Sequence, residues 1–228
     1  MAGREKLNRQ RLSRDAVIEA ALDLAYRRGI DGLSFRRLAD ALDVSPMALY
    51  WHVENKDELL NAMGDRACRD LRITADPNDP WDRQLRSLVT DFVRMIEKNP
   101  GAAPIIIPRV VYSETGREFM ERLIGLLRGA GFDIGEATQL ARQGARTAMS
   151  LVNEPLFTGV TLEPERRAVL LAQAEALHAE LPPERYPNIL AAWNDLGDIT
   201  SRESFIQLGI DTYVHGVVGL AAARAATR

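Results

Sequence analysis

Tyr50, Trp51 and His52 stand consecutively in the chain, with Arg36 and Arg37 upstream and Lys56 just downstream. Guanidinium and ammonium groups pair with phosphate, Arg also reads guanine edges, and flat or hydrogen-bonding side chains add contacts beside them. This combination is chemistry for nucleic acid. His52 read alone suggests a metal ligand, but no second His or Cys lies at ligand spacing, so a polar contact fits better and no metal is expected. A phosphate-binding glycine loop, a zinc pair and a nucleophile elbow are all missing, and the single Cys68 has no partner in sequence. Asp195 and Asp198 read as solvated connector charges. The chain is therefore not read as an enzyme, and no cofactor is expected.

Two short helices and a tight turn must position these groups. Ser34 caps the first helix, with Leu38 and Leu42 four residues apart on its apolar side. Asp43 and Val44 make the turn. Ser45 caps the second helix, and Pro46 fits its first position, where no backbone N–H is needed. Leu49 and Val53 face inward, which leaves Met47, Ala48, Tyr50, Trp51 and His52 largely outside. The arrangement is that of a helix-turn-helix, the second helix reading the major groove. Its bland alternatives are an ordinary αα-hairpin and, for Trp51 alone, a core residue. On the helix-turn-helix reading, Lys56 and Ser34 hold phosphates, Arg36 reads a base, Arg37 lies beside it, and Pro46, Met47 and Ala48 meet thymine methyl groups.

The remaining pattern is helical. Val17, Ile18, Ala21, Leu24 and Ala25 mark a first helix ending at Gly29; Asn55 and Glu58 cap a fourth running to about Leu71. Polar, twice Pro-broken residues 74–80 read as a boundary. Further helices are expected over 81–99, 113–129, 134–153, 164–181 and 201–226, with a short one around 188–196. Ile105, Ile106 and Ile107 lie between Pro104 and Pro108; a strand would fit, but a helical turn or loop wall fits better. The expectation is an all-α chain of nine to ten helices: a basic arm over 1–12, a helix-turn-helix domain over 13–73 and a larger helical domain over 81–228. The 228 residues are 46% hydrophobic and 27% charged, ordinary for a soluble protein, and one cysteine suits a reducing cytoplasm. No run approaches the length of a membrane span; the final helix comes nearest, and Asp211 and His215 interrupt it. The net charge of −3 hides an asymmetry, with a local +4 over residues 1–14 and an acidic remainder. Such an arm suits phosphate contact; the plain alternative is a solvated tail.

Ala21-Leu-Asp-Leu-Ala25 before Gly29, then Gly32-Leu33-Ser34, Arg37-Leu38-Ala39, Leu49-Tyr50-Trp51-His52-Val53, Asn55-Lys56 and Leu59-Leu60 together resemble the tetracycline-repressor (TetR) family of bacterial transcription regulators. The likeness spans about residues 13–72. Asp43 departs from it, since the family usually has Gly in that turn; Asp tolerates a left-handed backbone better than most residues. The resemblance implies a homodimeric, ligand-responsive repressor that binds a palindromic double-stranded DNA operator. It also implies a small effector in the C-terminal domain and a four-helix dimer interface made by the eighth and last helices. Tetracycline-binding members use a pocket His to reach a magnesium–drug complex. This chain has only His52, His178 and His215, which favours an apolar or aromatic effector of unknown identity. The alternative is a dimeric DNA-binding protein with no effector.

Two helices carry small residues on one side. Ala141, Ala145 and Ala148 with Gly144 do so on the 134–153 helix; Gly209, Thr212, Gly216, Gly219 and Ala223 form a seam on the last. Glycine in a helix costs about 0.8–1.0 kcal/mol relative to alanine, so three on one seam imply close approach by another helix, of a second subunit or of the same one. Phe92, Met95, Ile96, Ile106, Phe119, Leu123, Met149 and Phe157 are the candidates for lining an effector pocket, with core packing as the alternative. Arg109, Arg142, Arg146 and Asn153 could anchor a polar group there, with plain surface groups as the alternative.

Overall fold

Ser13 opens the first helix, its side chain accepting from the Ala16 N–H, and helix α1 runs Arg14–Arg28 until Gly29 takes φ 68°. The computed structural model describes residues 12–100, 103–153, 164–194 and 202–227. After a 3₁₀ turn at Ile30–Gly32, Ser34 caps α2, Phe35–Leu42, by accepting from the Arg37 N–H. Asp43 ends α2 in the left-handed region (φ 51°, ψ 47°), and the Val44 N–H returns to Ala39 O at 3.0 Å. The turn thus forms without Gly, at a position where Asp is among the few tolerated residues.

Helix α3 is only Pro46–Leu49. Sequence reasoning carried it toward Val53; instead the His52 and Val53 N–H groups both close on Leu49 O, ending the helix in a turn. Asn55, in extended backbone, then caps α4, Lys56–Cys68. Leu38, Leu49, Val53, Leu59 and Met63 are fully buried beside Val17 and Ala21 of α1, so the first four helices share one apolar centre.

Thr74 donates its N–H at 2.6 Å and its hydroxyl at 2.9 Å to buried Asp91 of α5, Trp81–Lys98. The Ile-rich segment is a real helix, α6 (Ala103–Arg109), followed by a 3₁₀ turn at Val110–Tyr112. This is the element beyond the nine or ten expected. Ile105 and Ile106 are buried, and Pro108 sits in the last turn of α6. Ser113 caps α7, Glu114–Gly129. Asp133 and Glu136 exchange N–H bonds at 2.8 and 3.0 Å, a complete capping box for α8, Ile134–Asn153. Helices α9 (Pro164–Glu180), α10 (Pro187–Ala191) and α11 (Arg202–Ala225) complete eleven α-helices with no strand among the described residues. The chain is all-α.

Two compact units result, Met1–Val152 with Ile210–Arg228, and Asn153–Gly209. In the second, His178 of α9 stacks on Trp193 at 4.4 Å. In the first, α11 is tied to α5 by the Arg86–Asp211 pair and to α8 by Arg224–Glu136 and by the Tyr213 hydroxyl, which donates to Leu140 O at 2.7 Å. By length and composition α11 could cross a membrane, so the reading that no run approaches that length needs amending. Asp211 meets Arg86 within the protein, and Ile210, Val214 and Val217 are buried in it.

Gly116 shows how tightly the turn into α7 is drawn. A Cβ there would lie 1.9 Å from the Val110 carbonyl oxygen and 2.7 Å from Ser113 Oγ. Gly116→Ala must push the 110–116 turn aside, at a cost of about 1–3 kcal/mol. A lower denaturant midpoint is expected; an unchanged one would mean that the turn yields freely.

Candidate nucleic-acid interface

The end of α3 is held in place from three sides. Arg14 of α1 donates to His52 O at 3.3 Å and pairs with Glu58 at 3.0 Å. Glu58 in turn accepts the Glu54 N–H at 2.6 Å, and Asn55 Oδ1 accepts the Glu58 N–H at 2.9 Å. The Glu54 N–H first, then Arg14, hold the Glu58 carboxyl below its ordinary range. Phe35 stacks on Tyr50 with ring centroids 4.8 Å apart, a support that sequence reasoning missed because a lone Phe at a helix start carries no pattern.

This scaffold presents a projecting edge. Trp51 is 84% exposed and Met47 71%, with Tyr50 half exposed. Ser45 and Pro46 are exposed beside them, Ala48 and His52 half-buried. Ser45 precedes this helix without the side-chain cap bond that the sequence suggested, and the large apolar side chains form an exposed patch on a turn braced from its other end. Arg36 on α2 is exposed, with no hydrogen-bond or ion-pair partner among the described residues. Two expected phosphate or base contacts already have work to do. The Lys56 ammonium donates to Leu33 O at 3.1 Å, and Arg37 donates to Gly32 O at 2.9 Å. The Ser34 hydroxyl accepts the Arg37 N–H as an N-cap. Arg14, counted with the basic arm in the sequence, belongs to α1 and is paired; the rest of the arm lies outside the described residues.

Below this edge, α4 meets α6. A Cβ at Gly64 would sit 3.3 Å from Arg109 Cβ, and Arg109 donates to Asn61 at 2.8 Å. Arg109 is thereby a joint between helices and not a pocket anchor. Beyond it, Val89, Phe92, Ile107, Val110, Phe119, Met120, Leu123, Ala141, Arg142, Gly144, Ala145 and Tyr213 enclose a cavity of about 70 Å³. Phe92, Phe119 and Leu123 were expected there. Met95, Ile96 and Ile106 were also expected, but they are fully buried in the core and away from the lining, since their helices turn those positions inward. Met149 is half-buried and does not reach the cavity. Phe157 lies outside the described residues.

The small residues of α8 also need correcting. Ala141 and Ala148 are buried within the protomer, and Ala141, Gly144 and Ala145 line the cavity. A Cβ at Gly144 would come 2.9 Å from the Tyr213 ring. Their smallness makes room for Tyr213 and the cavity, so Ala141 and Ala148 are not a surface another subunit can touch. On α11 the seam behaves differently. Thr212, Gly216, Gly219 and Ala223 are exposed and Gly209 half-buried, and a Cβ at Gly216 or Gly219 would meet nothing within 4 Å.

Residues 17–63 match the family model described as bacterial regulatory proteins, tetR family. The chain is 33% identical over 152 residues to the tetracycline repressor protein class E of Escherichia coli, spanning 65% of this chain and 71% of that one. It is 28% identical over 210 residues to the class D repressor of the same organism, covering 90% and 89% of the two chains. Among solved structures, ActR of Streptomyces coelicolor in complex with actinorhodin superposes with a TM-score of 0.68 at 25% identity, covering 92% of this chain and 98% of that one.

Arg36→Ala should relax base preference at one position of a bound duplex, by about 1–3 kcal/mol, in selection from a random DNA pool. Lys56→Ala should weaken all duplexes alike and also lower the melting temperature, because it removes the Leu33 O bond. A change of melting alone would strip Lys56 of its phosphate role. Glu58, with its folded value depressed, stabilises fully above the ordinary Glu range and loses that contribution as pH falls through the folded value. Thermal melts of Glu58→Gln should therefore depend less on acid than the parent does.

Proposed function

Because the chain belongs to the TetR family of bacterial regulatory proteins, which are DNA-binding transcriptional regulators, we propose that it is a homodimeric repressor released from a palindromic operator by a small apolar or aromatic effector. The observation that carries the DNA role is the outward set Met47, Tyr50 and Trp51, held on a turn braced by Arg14, Glu58 and Phe35. Residues 13–73 act as the reading head and 81–228 as the effector and dimer domain, with 1–12 as a phosphate-binding arm. One four-residue helix reads few base pairs; two across a two-fold axis read half-sites about 34–36 Å apart. Such a regulator works in the cytoplasm, beside the chromosome.

The uncovered glycines of α11 support a subunit contact there. Among the described residues nothing occupies the space above Gly216 or Gly219, although each weakens the helix. The effector site is the cavity bounded by Phe92, Phe119 and Tyr213. Its wall includes Ile107 and Val110, which flank the Arg109–Asn61 bond to α4. An effector that prefers a state with the α6 turn displaced would move α4 and the head with it; equal affinity for both states would shift nothing. ActR of Streptomyces coelicolor, solved in complex with actinorhodin, is a structural neighbour that supports a ligand site in this chain.

Gly216→Leu tests the assembly. Leu has open space within one protomer and favours helix, so any loss of association reports crowding between subunits, commonly about 1–3 kcal/mol per site and applied twice by symmetry. Sedimentation at micromolar concentration should show monomers, with operator affinity reduced in a gel shift. A stable dimer with normal operator binding would place the subunit contact elsewhere.

A further inference from the structure

The cavity beside Tyr213 has a chemical bias beyond its apolar walls. Phe92 and Phe119 stack with centroids 5.5 Å apart and interplanar angle 20°, giving it a flat aromatic side. Among the described lining residues none is acidic, and Arg142 is the one that carries a charge. Arg142 is exposed at the rim, and among the described residues it has no hydrogen-bond or ion-pair partner. The other polar group, the Tyr213 hydroxyl, spends its proton on Leu140 O at 2.7 Å, and burial pushes its pKa up to about 12. Tyr213 therefore stays a neutral phenol and sets no negative charge against an arriving anion.

We propose that this cavity selects planar aromatic molecules bearing one carboxylate or comparable anionic group, with Arg142 as the residue that binds that group. The proposal rests on the reading of the cavity as the effector site. An unpaired carboxylate is costly to bring to an apolar wall, and an unpaired Arg at the rim removes that cost. Its planar fork matches a carboxylate with two parallel hydrogen bonds, which a neutral hydroxyl cannot reproduce. A cationic ligand finds repulsion from Arg142 and no carboxylate to meet. Met120, half-buried and unbranched, is the most adaptable lining side chain and can shift as a planar ring enters.

Two probes of nearly one shape separate charge from shape: 2-naphthoate and 2-naphthalenemethanol, titrated calorimetrically into the full chain. The parent should prefer the acid by about tenfold or more, as expected for a charge-assisted bidentate pair. In Arg142→Gln that preference should fall to near unity. Because the readout is a ratio, a general loss of binding does not imitate it. Should Arg142→Gln lose both probes, Arg142→Lys decides: a retained acid preference supports the assignment, and equal binding overturns it. Equal binding by the parent overturns charge selection while leaving the cavity as a site for aromatics. An acid preference that survives in Arg142→Gln overturns the role of Arg142. Binding of neither probe by the parent overturns the proposal together with the effector reading beneath it.

Discussion

At Gly64 the α4 backbone approaches α6 so closely that a single methyl group would press on Arg109 Cβ at 3.3 Å. The Arg109–Asn61 bond lies one turn away and fixes the same contact in register. Above it, α4 begins at Asn55, and its first turn carries Glu58, which holds both the Glu54 N–H and Arg14. Below it, the chain on either side of Arg109 supplies Ile107 and Val110 to the cavity wall. A joint made of close backbone packing does not deform continuously; it either keeps its register or moves as a body. The exposed edge at α3 and the cavity are thereby linked through one helix contact, although they share no residue.

Most of the fold was legible because it is written locally. Ser13, Ser34, Asn55, Ser113 and the Asp133–Glu136 box each satisfy N–H groups within three residues, so the helix starts could be read from neighbours in sequence. The outward set at Met47, Tyr50 and Trp51 followed from Leu49 and Val53 defining the inner side. Helix α6 was harder, because prolines at both ends of three isoleucines obscure the helical period, and it is stabilised by its contact with α4.

What could not be read was long-range. Small residues on α8 announce a close approach but not by what; here the neighbour is Tyr213, far along the same chain. Lys56 and Arg37 have the composition of phosphate binders, yet their nearest acceptors are the Leu33 and Gly32 carbonyls, which no motif predicts. For a similar reason three of the seven described pocket candidates, Phe92, Phe119 and Leu123, border the cavity and the other four do not. Periodicity says which face of α5 is buried, but it does not distinguish Phe92, beside a void, from Met95 and Ile96, which fill their space.

The size of that void has a consequence for how the protein senses. Apparent affinity equals intrinsic affinity multiplied by the fraction of molecules in the competent state. Where a ligand fits only a widened form of this cavity, that fraction sets its apparent affinity. If wide states make up about one molecule in a hundred, every ligand loses about a hundredfold in apparent strength. On the effector reading the wall would then act as a threshold: a weak apolar solute gains too little to offset the opening, and a molecule with a further strong contact gains enough. Substitutions that trim the wall would lower this threshold for all comers, trading discrimination for sensitivity.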